Sequence, residues 1–328
     1  MNKPYAFDDV TIQAMFGHEA AENEDVARLR DYYFKGDVYN RAIAKLPLRV
    51  LVGHKGTGKS ALFAVALQEN RDAGAVALLV KPDDVLEIAV GETDLLRATR
   101  SWKDGLLRLI YDRSLKELGV DDPAAASRYA GTAGRVVQAI TDICKPFVDK
   151  YASVSSVKKM ATARFLENNE IYVYLDDLDR GWTGDKLSIL RLSALLNALR
   201  DLSSDNPRLF FRVAMRSDVY YLVRTSDEST DKVEGSVVWH SWTNHEILAM
   251  MVKRLETFFG RTANESDLME MRQEKLASYL SPVFDPTFYG QGHWSNIPVH
   301  RVLMSLIRKR PRDLVKLCTL AAQGELRL

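Results

Sequence analysis

The segment Gly53-His54-Lys55-Gly56-Thr57-Gly58-Lys59-Ser60 fits the pattern G-x-x-x-x-G-K-[ST] without a gap. The run Arg49-Val50-Leu51-Val52 before it reads as a strand, and Gly58 to Gln68 behind it reads as a helix. Glycines at these places let the chain turn back, so that successive backbone N–H groups and the helix N-terminus converge on one centre that suits phosphate oxygens. In such a loop Lys59 reaches the β and γ phosphates and Ser60 sets its hydroxyl on Mg2+, with the cradle running on to Ala61. The spacing predicts a bound nucleotide.

A phosphate loop needs a second element for the metal and the attacking water. Ile171-Tyr172-Val173-Tyr174-Leu175 is a nearly continuous apolar strand ending in Asp176-Asp177. Asp176 is the expected Mg2+ partner through coordinated water, and Asp177 the expected general base. The bland reading of the pair is a turn or helix cap. Asp179 and Arg180 read as a local ion pair or as positioning groups. A further strand, Leu209–Met215, leads into Arg216-Ser217-Asp218. Arg216 would sense the γ phosphate if this strand lies between the two others; otherwise it is a surface arginine paired with Asp218. In Arg308-Lys309-Arg310-Pro311-Arg312-Asp313, Pro311 suits the first turn of a helix. Arg310 and Arg312 then sit at its positive end, unfavourable by roughly 0.3–1 kcal/mol per charge unless an anion offsets them. A bound phosphate would do so. Asp313 is a competing partner, and a nucleic-acid patch extended by Arg301 and Lys316 is the rival functional reading.

The elements that must position these groups alternate between strand and helix, which points to a parallel sheet covered on both sides. The other strand candidates are Ala75–Val80 and, weakly, Ser236–Trp239. Helices are expected at 23–34, 37–45, 94–118 and 187–202, with Gly105 an irregularity in the third. An Ala- and Ser-rich stretch at 119–169 reads as a helical insertion. After Trp242 the pattern is all helical: Thr243-Asn244-His245-Glu246 is a capping-box sequence, followed by helices near 265–280, 299–308 and 311–322. The expected division is a core over 1–242 and a helical lid over 243–328.

Composition bounds the rest. The 328 residues include 45 Lys+Arg against 44 Asp+Glu, so no strongly basic field marks a nonspecific nucleic-acid binder. Cys144 and Cys318 give neither a disulfide framework nor a metal-ligand spacing. His240, His245 and Glu246 lack zinc spacing, and Glu246 is needed for the cap. Trp239 and Trp242 read as packing at the domain boundary. No apolar run reaches the roughly 18 residues of a membrane span. The expectation is a reduced, cytoplasmic protein.

Taken together, GHKGTGKS, YVYLDDLDRGW, the strand ending in MRSD, WHSWTNHEILAMMVKRL and KRPRDLVKLC resemble bacterial P-loop ATPases near the KAP group, within the larger AAA+/STAND-like assembly. The resemblance covers most of the chain from about Phe34, apart from the Ala-rich insertion. It implies an α/β three-layer P-loop NTPase core with a parallel sheet of order 5-1-4-3-2 and a C-terminal helical domain, with ATP as the nucleotide. It assigns Lys59, Ser60, Asp176, Asp177 and Arg216 to the Walker A, Walker B and first-sensor roles, and either Arg310 or Arg312 to the second sensor. Two departures stand out: KAP proteins carry membrane helices, which are not found here, and AAA+ enzymes usually have Glu where this chain has Asp177. The shorter side chain fits a slow switch. The resemblance also admits a regulatory role in bacterial antiphage defence, a separate protein partner carrying the effector activity, and nucleotide-dependent self-association. Competing readings are a scaffold that binds nucleotide with little hydrolysis and an ATP-dependent nucleic-acid-binding protein.

Overall fold

A computed structural model describes residues 8–117, 170–289 and 292–325. The expected insertion at 119–169 lies outside the described residues. In chain order the elements are α1 (Asp9–Phe16), α2 (Val26–Tyr32), α3 (Asp37–Ile43), β1 (Leu48–Gly53), α4 (Lys59–Asp72), β2 (Val76–Val80) and α5 (Leu95–Glu117). They continue with β3 (Ile171–Leu175), α6 (Lys186–Asp205), β4 (Leu209–Arg216), α7 (Ser217–Ser226), β5 (Val237–Trp239) and α8 (Asn244–Phe258). The last are α9 (Glu265–Glu270), α10 (Gln273–Ser278), β6 (Thr287–Tyr289), β7 (Ser295–Pro298), α11 (Val299–Leu306) and α12 (Pro311–Glu325).

The molecule is an α/β protein whose five-stranded parallel sheet has the order β2-β3-β4-β1-β5. Val80 stands opposite Leu175, and Leu175 opposite Val213. All five residues of β3 are buried, which is why the strand is apolar without alternation. The chain forms two compact units. One gathers Met1–Arg41, Gly53–Val65 and His240–Leu328; the other comprises Ala42–Val52 and Ala66–Trp239.

The sheet-bearing unit has a core built from Val50, Val173, Phe211, Trp102 and Leu195, among others. Trp102 Nε1 donates to the Arg191 carbonyl at 3.1 Å, which pins α5 to α6. Arg212, though only 1% exposed, donates through its two terminal guanidinium nitrogens to the carbonyls of Ala44 (2.8 Å) and Leu46 (2.9 Å), fixing the approach to β1.

The other unit packs Ile12, Met15 and Phe16 with Ile247, Met251, Leu314 and Cys318. Arg254 donates to the Phe16 carbonyl and lies over the Tyr32 ring at 4.5 Å. Lys253 Nζ donates to the Tyr33 carbonyl at 2.6 Å. These bonds hold the segment ahead of β1 against α8. The capping box forms as the residues dictate, with Thr243 N donating to Glu246 Oε2 at 2.7 Å.

Several boundaries differ from the sequence reading. Asp8 accepts from Thr11 N at 2.7 Å and caps α1, a helix in a stretch that carries little apolar pattern. The helix expected over 265–280 is broken at Met271 and Arg272, whose flanks form α9 and α10. The loop after it contains the β6–β7 hairpin. Among the described residues no helix is long and apolar enough to cross a membrane.

Gly105 sits inside α5 because Ile88 leaves no room: a Cβ there would stand 2.8 Å from Ile88 Cδ1 and Cγ1. Gly105→Ala should therefore destabilise by about 1–3 kcal/mol through overpacking, despite the roughly 0.5–1 kcal/mol that alanine gains in a helix. In an Ile88→Ala background the same change should become neutral or stabilising, as read from urea unfolding.

Candidate functional site

The loop Gly53–Ser60 joins β1 to α4, and each of its glycines has a separate reason. A Cβ on Gly53 would lie 2.7 Å from the His240 carbonyl oxygen and 3.0 Å from Thr57 Oγ1. Gly58 has φ +94 and open space around it, so conformation alone demands glycine. Gly56 combines both constraints. Its φ is +85, and a Cβ would meet Arg312 Cβ at 3.4 Å and Arg310 Cδ at 3.7 Å. The loop is braced from within by Thr57 Oγ1, which donates to the His54 carbonyl at 2.9 Å. It is braced from α8's side of the same unit by Trp242 Nε1, which donates to the Thr57 carbonyl at 2.8 Å.

Lys59 folds back over the loop, its Nζ donating to the carbonyls of Gly53 (2.8 Å) and His54 (3.1 Å). Ser60 and Ala61 are half-buried in the first turn of α4, while His54 and Lys55 are exposed. That first turn carries no acidic residue, so the positive end of the helix is not offset locally. The start of α12 lies against the loop. Arg312 N donates a long hydrogen bond of 3.5 Å to the Gly56 carbonyl. The sequence-predicted loop and both candidate sensor arginines are thus brought together within one compact unit.

The same unit holds a narrow cleft of about 10 Å³, room for about one water, lined by Tyr33, Phe34, Tyr39, His240, Trp242 and neighbouring residues. His240 is 4% exposed and its Nδ1 has no hydrogen-bond partner. Burial, aided by the charge of Lys59, lowers its pKa to about 3, so the imidazole stays neutral beside the loop. His245 is turned away, its Nε2 3.0 Å from the Met269 carbonyl. Among the described residues no three His, Cys, Asp or Glu side chains cluster as metal ligands.

In the sheet-bearing unit, the three carboxylates after β3 have three different partners. Asp176, 3% exposed, receives Lys81 Nζ at 3.2 Å. Asp177 has φ +61 and accepts from Arg180 Nε at 2.7 Å. Asp179, 6% exposed, accepts the Arg216 backbone N–H at 2.8 Å and so ties the β3 turn to the end of β4. The Arg216 guanidinium itself engages Asp218 through Nε at 3.1 Å and Nη2 at 2.5 Å. Burial would raise the Asp218 pKa, but the Arg216 bonds and charge outweigh it and hold it below the usual value. β4 does lie between β1 and β3, and Arg216 also makes the local pair that was its alternative.

No sequence motif points to Lys81, which pairs with Asp176. Its signal was positional: Lys81 and Asp176 each follow a residue of the Val80–Leu175 register pair on neighbouring strands.

No known protein-family profile matches this sequence. A transposon gamma-delta 80.3 kDa protein of Escherichia coli is 21% identical over 278 residues, covering 74% of this chain and 40% of that protein. The chain therefore spans about two fifths of the length of this curated relative.

The neutral state of His240 has a pH signature. Between pH 6.5 and about 3 the unfolded chain binds a proton at this histidine that the folded chain does not. Stability should consequently rise with pH across that window, with a contribution from His240 of up to about 1.4 kcal/mol per pH unit. His240→Asn should lose that part of the slope, as measured by urea unfolding at a series of pH values.

Proposed function

We propose that this chain binds ATP with Mg2+ on the Gly53–Ser60 loop and hydrolyses it slowly as a nucleotide-dependent switch. The observation that carries the reading is the apposition of the α12 start, with Arg310 and Arg312, to Gly56. Two arginines at the positive end of a helix, beside a lysine folded over a glycine turn, give an anion a favourable place. Asp313, in the first turn of α12, offsets part of this charge. The strand order β2-β3-β4-β1-β5 supports assignment to the P-loop class implied by the sequence resemblance.

The residues fit both groups. Gly58 is open on the side where a side chain would stand, leaving room for phosphate, and Lys59 needs only to leave two carbonyls. Mg2+ in such sites takes few protein ligands, so the absence of a carboxylate cluster among the described residues is no obstacle. Ser60 would bind it directly and Asp176 through water. When bound, Mg2+ neutralises charge developing on the phosphate oxygens. Asp177 would accept the proton of the attacking water at its carboxylate. Its ion pair with Arg180 is exposed, and such pairs contribute about 0–1 kcal/mol, little enough to yield.

Lys59→Ala should lower affinity for a fluorescent ATP analogue at least tenfold. Asp177→Asn should keep that affinity and lose phosphate release by two orders of magnitude or so. Full turnover by Asp177→Asn would remove the base assignment, and no binding by the unaltered protein would remove the reading. The name of the curated relative makes DNA the first polymer to test as a stimulator of hydrolysis. Stimulation with steep salt dependence would shift the reading to an ATP-dependent DNA-binding protein.

A further inference from the structure

Asp176 is a carboxylate withdrawn from water, and a buried carboxylate needs a counter-charge. Lys81 supplies one at 3.2 Å. Both backbones are fixed before the side chains meet. Asp176 N donates to the Val80 carbonyl at 3.0 Å, and Lys81 N donates to Asp84 Oδ2 at 2.7 Å. Asp84 is held in turn by Arg113 of α5, which also donates to the Leu79 carbonyl. The charges alternate along this row: Arg113, Asp84, Lys81, Asp176. The lysine end is the movable one, because the Lys81 side chain is 31% exposed whereas that of Asp176 is 5% exposed.

We infer that Lys81 is an internal counter-ion that a divalent cation must displace from Asp176, and that it sets how much Mg2+ the protein needs. This rests on the nucleotide-and-metal reading above. An ammonium and a divalent cation at one carboxylate repel each other, so the lysine weakens cation uptake while keeping the carboxylate ionised and aimed in its absence. Removing the ammonium relieves the repulsion and leaves a carboxylate that needs a cation more. Both effects raise metal affinity, and the loss of the counter-charge lowers metal-free stability. A lysine that served only to stabilise the fold would lower stability and leave the metal requirement alone.

The test is a MgCl2 titration of the full chain with a fluorescent, non-hydrolysable ATP analogue, with Mn2+ binding followed by electron paramagnetic resonance as a second readout. Lys81→Met should lower the half-saturating Mg2+ and Mn2+ concentrations three- to tenfold and lower the metal-free melting temperature, and Lys81→Arg should restore both. Lys81→Gln carries the same test should the methionine variant not fold. An unchanged or raised metal requirement, in a variant that still binds the analogue, overturns the inference alone. Failure of the unaltered protein to bind the analogue at any Mg2+ concentration overturns the inference and the proposed function together.

Discussion

The arrangement around the Gly53–Ser60 loop depends on one close approach to its backbone. The carbonyl of His240 occupies the space into which any side chain at position 53 would project. That contact brings the chain returning from β5 alongside the first residue of the loop, and the neighbouring bonds follow from it. Trp242, two residues on, reaches the Thr57 carbonyl. His240 loses its water, and with it the ability to carry a proton near Lys59. A neutral imidazole adds no second positive charge beside that lysine.

The second organising fact is how the acidic turn after β3 distributes its charges. Three carboxylates in four residues would repel one another if left to solvent. Here each is drawn to a different element: Asp176 to the end of β2, Asp177 to its own turn, and Asp179 to the end of β4. Repulsion is thereby converted into a set of ties across the sheet edge. Asp179 helps to hold the turn, because it satisfies a backbone N–H that the end of a strand would otherwise leave to water.

Much of this was legible in the residues themselves. The glycine spacing fixed the loop's extent, the apolar run of β3 announced a strand buried on both faces, and Thr243 with Glu246 wrote out the helix start. What could not be read was anything set by distant neighbours. The partner of Asp176 depends on strand adjacency, which no local pattern encodes. α1 rests on a capping aspartate and three buried side chains, too few to rise above a polar stretch. Gly105 looked like a flaw in a helix until the crowding by Ile88 explained it. The reach of Arg310 and Arg312 to the loop could be suspected from the unfavourable charge at a helix start, but only the fold brings Gly56 to them.

Trp242 joins two properties that rarely coincide. Its indole N–H is bonded to the carbonyl of Thr57 in the middle of the loop, and its ring faces Phe34 and His240 at centroid distances of 6.3 and 5.8 Å. An indole in that position is a spectroscopic reporter already installed. A shift of the loop by a few tenths of an ångström changes both its hydrogen bond and its aromatic surroundings, and hence the colour and yield of its emission. The chain has 5 tryptophans, so a variant keeping this one alone would let the loop be watched by its own light, without a label and in real time.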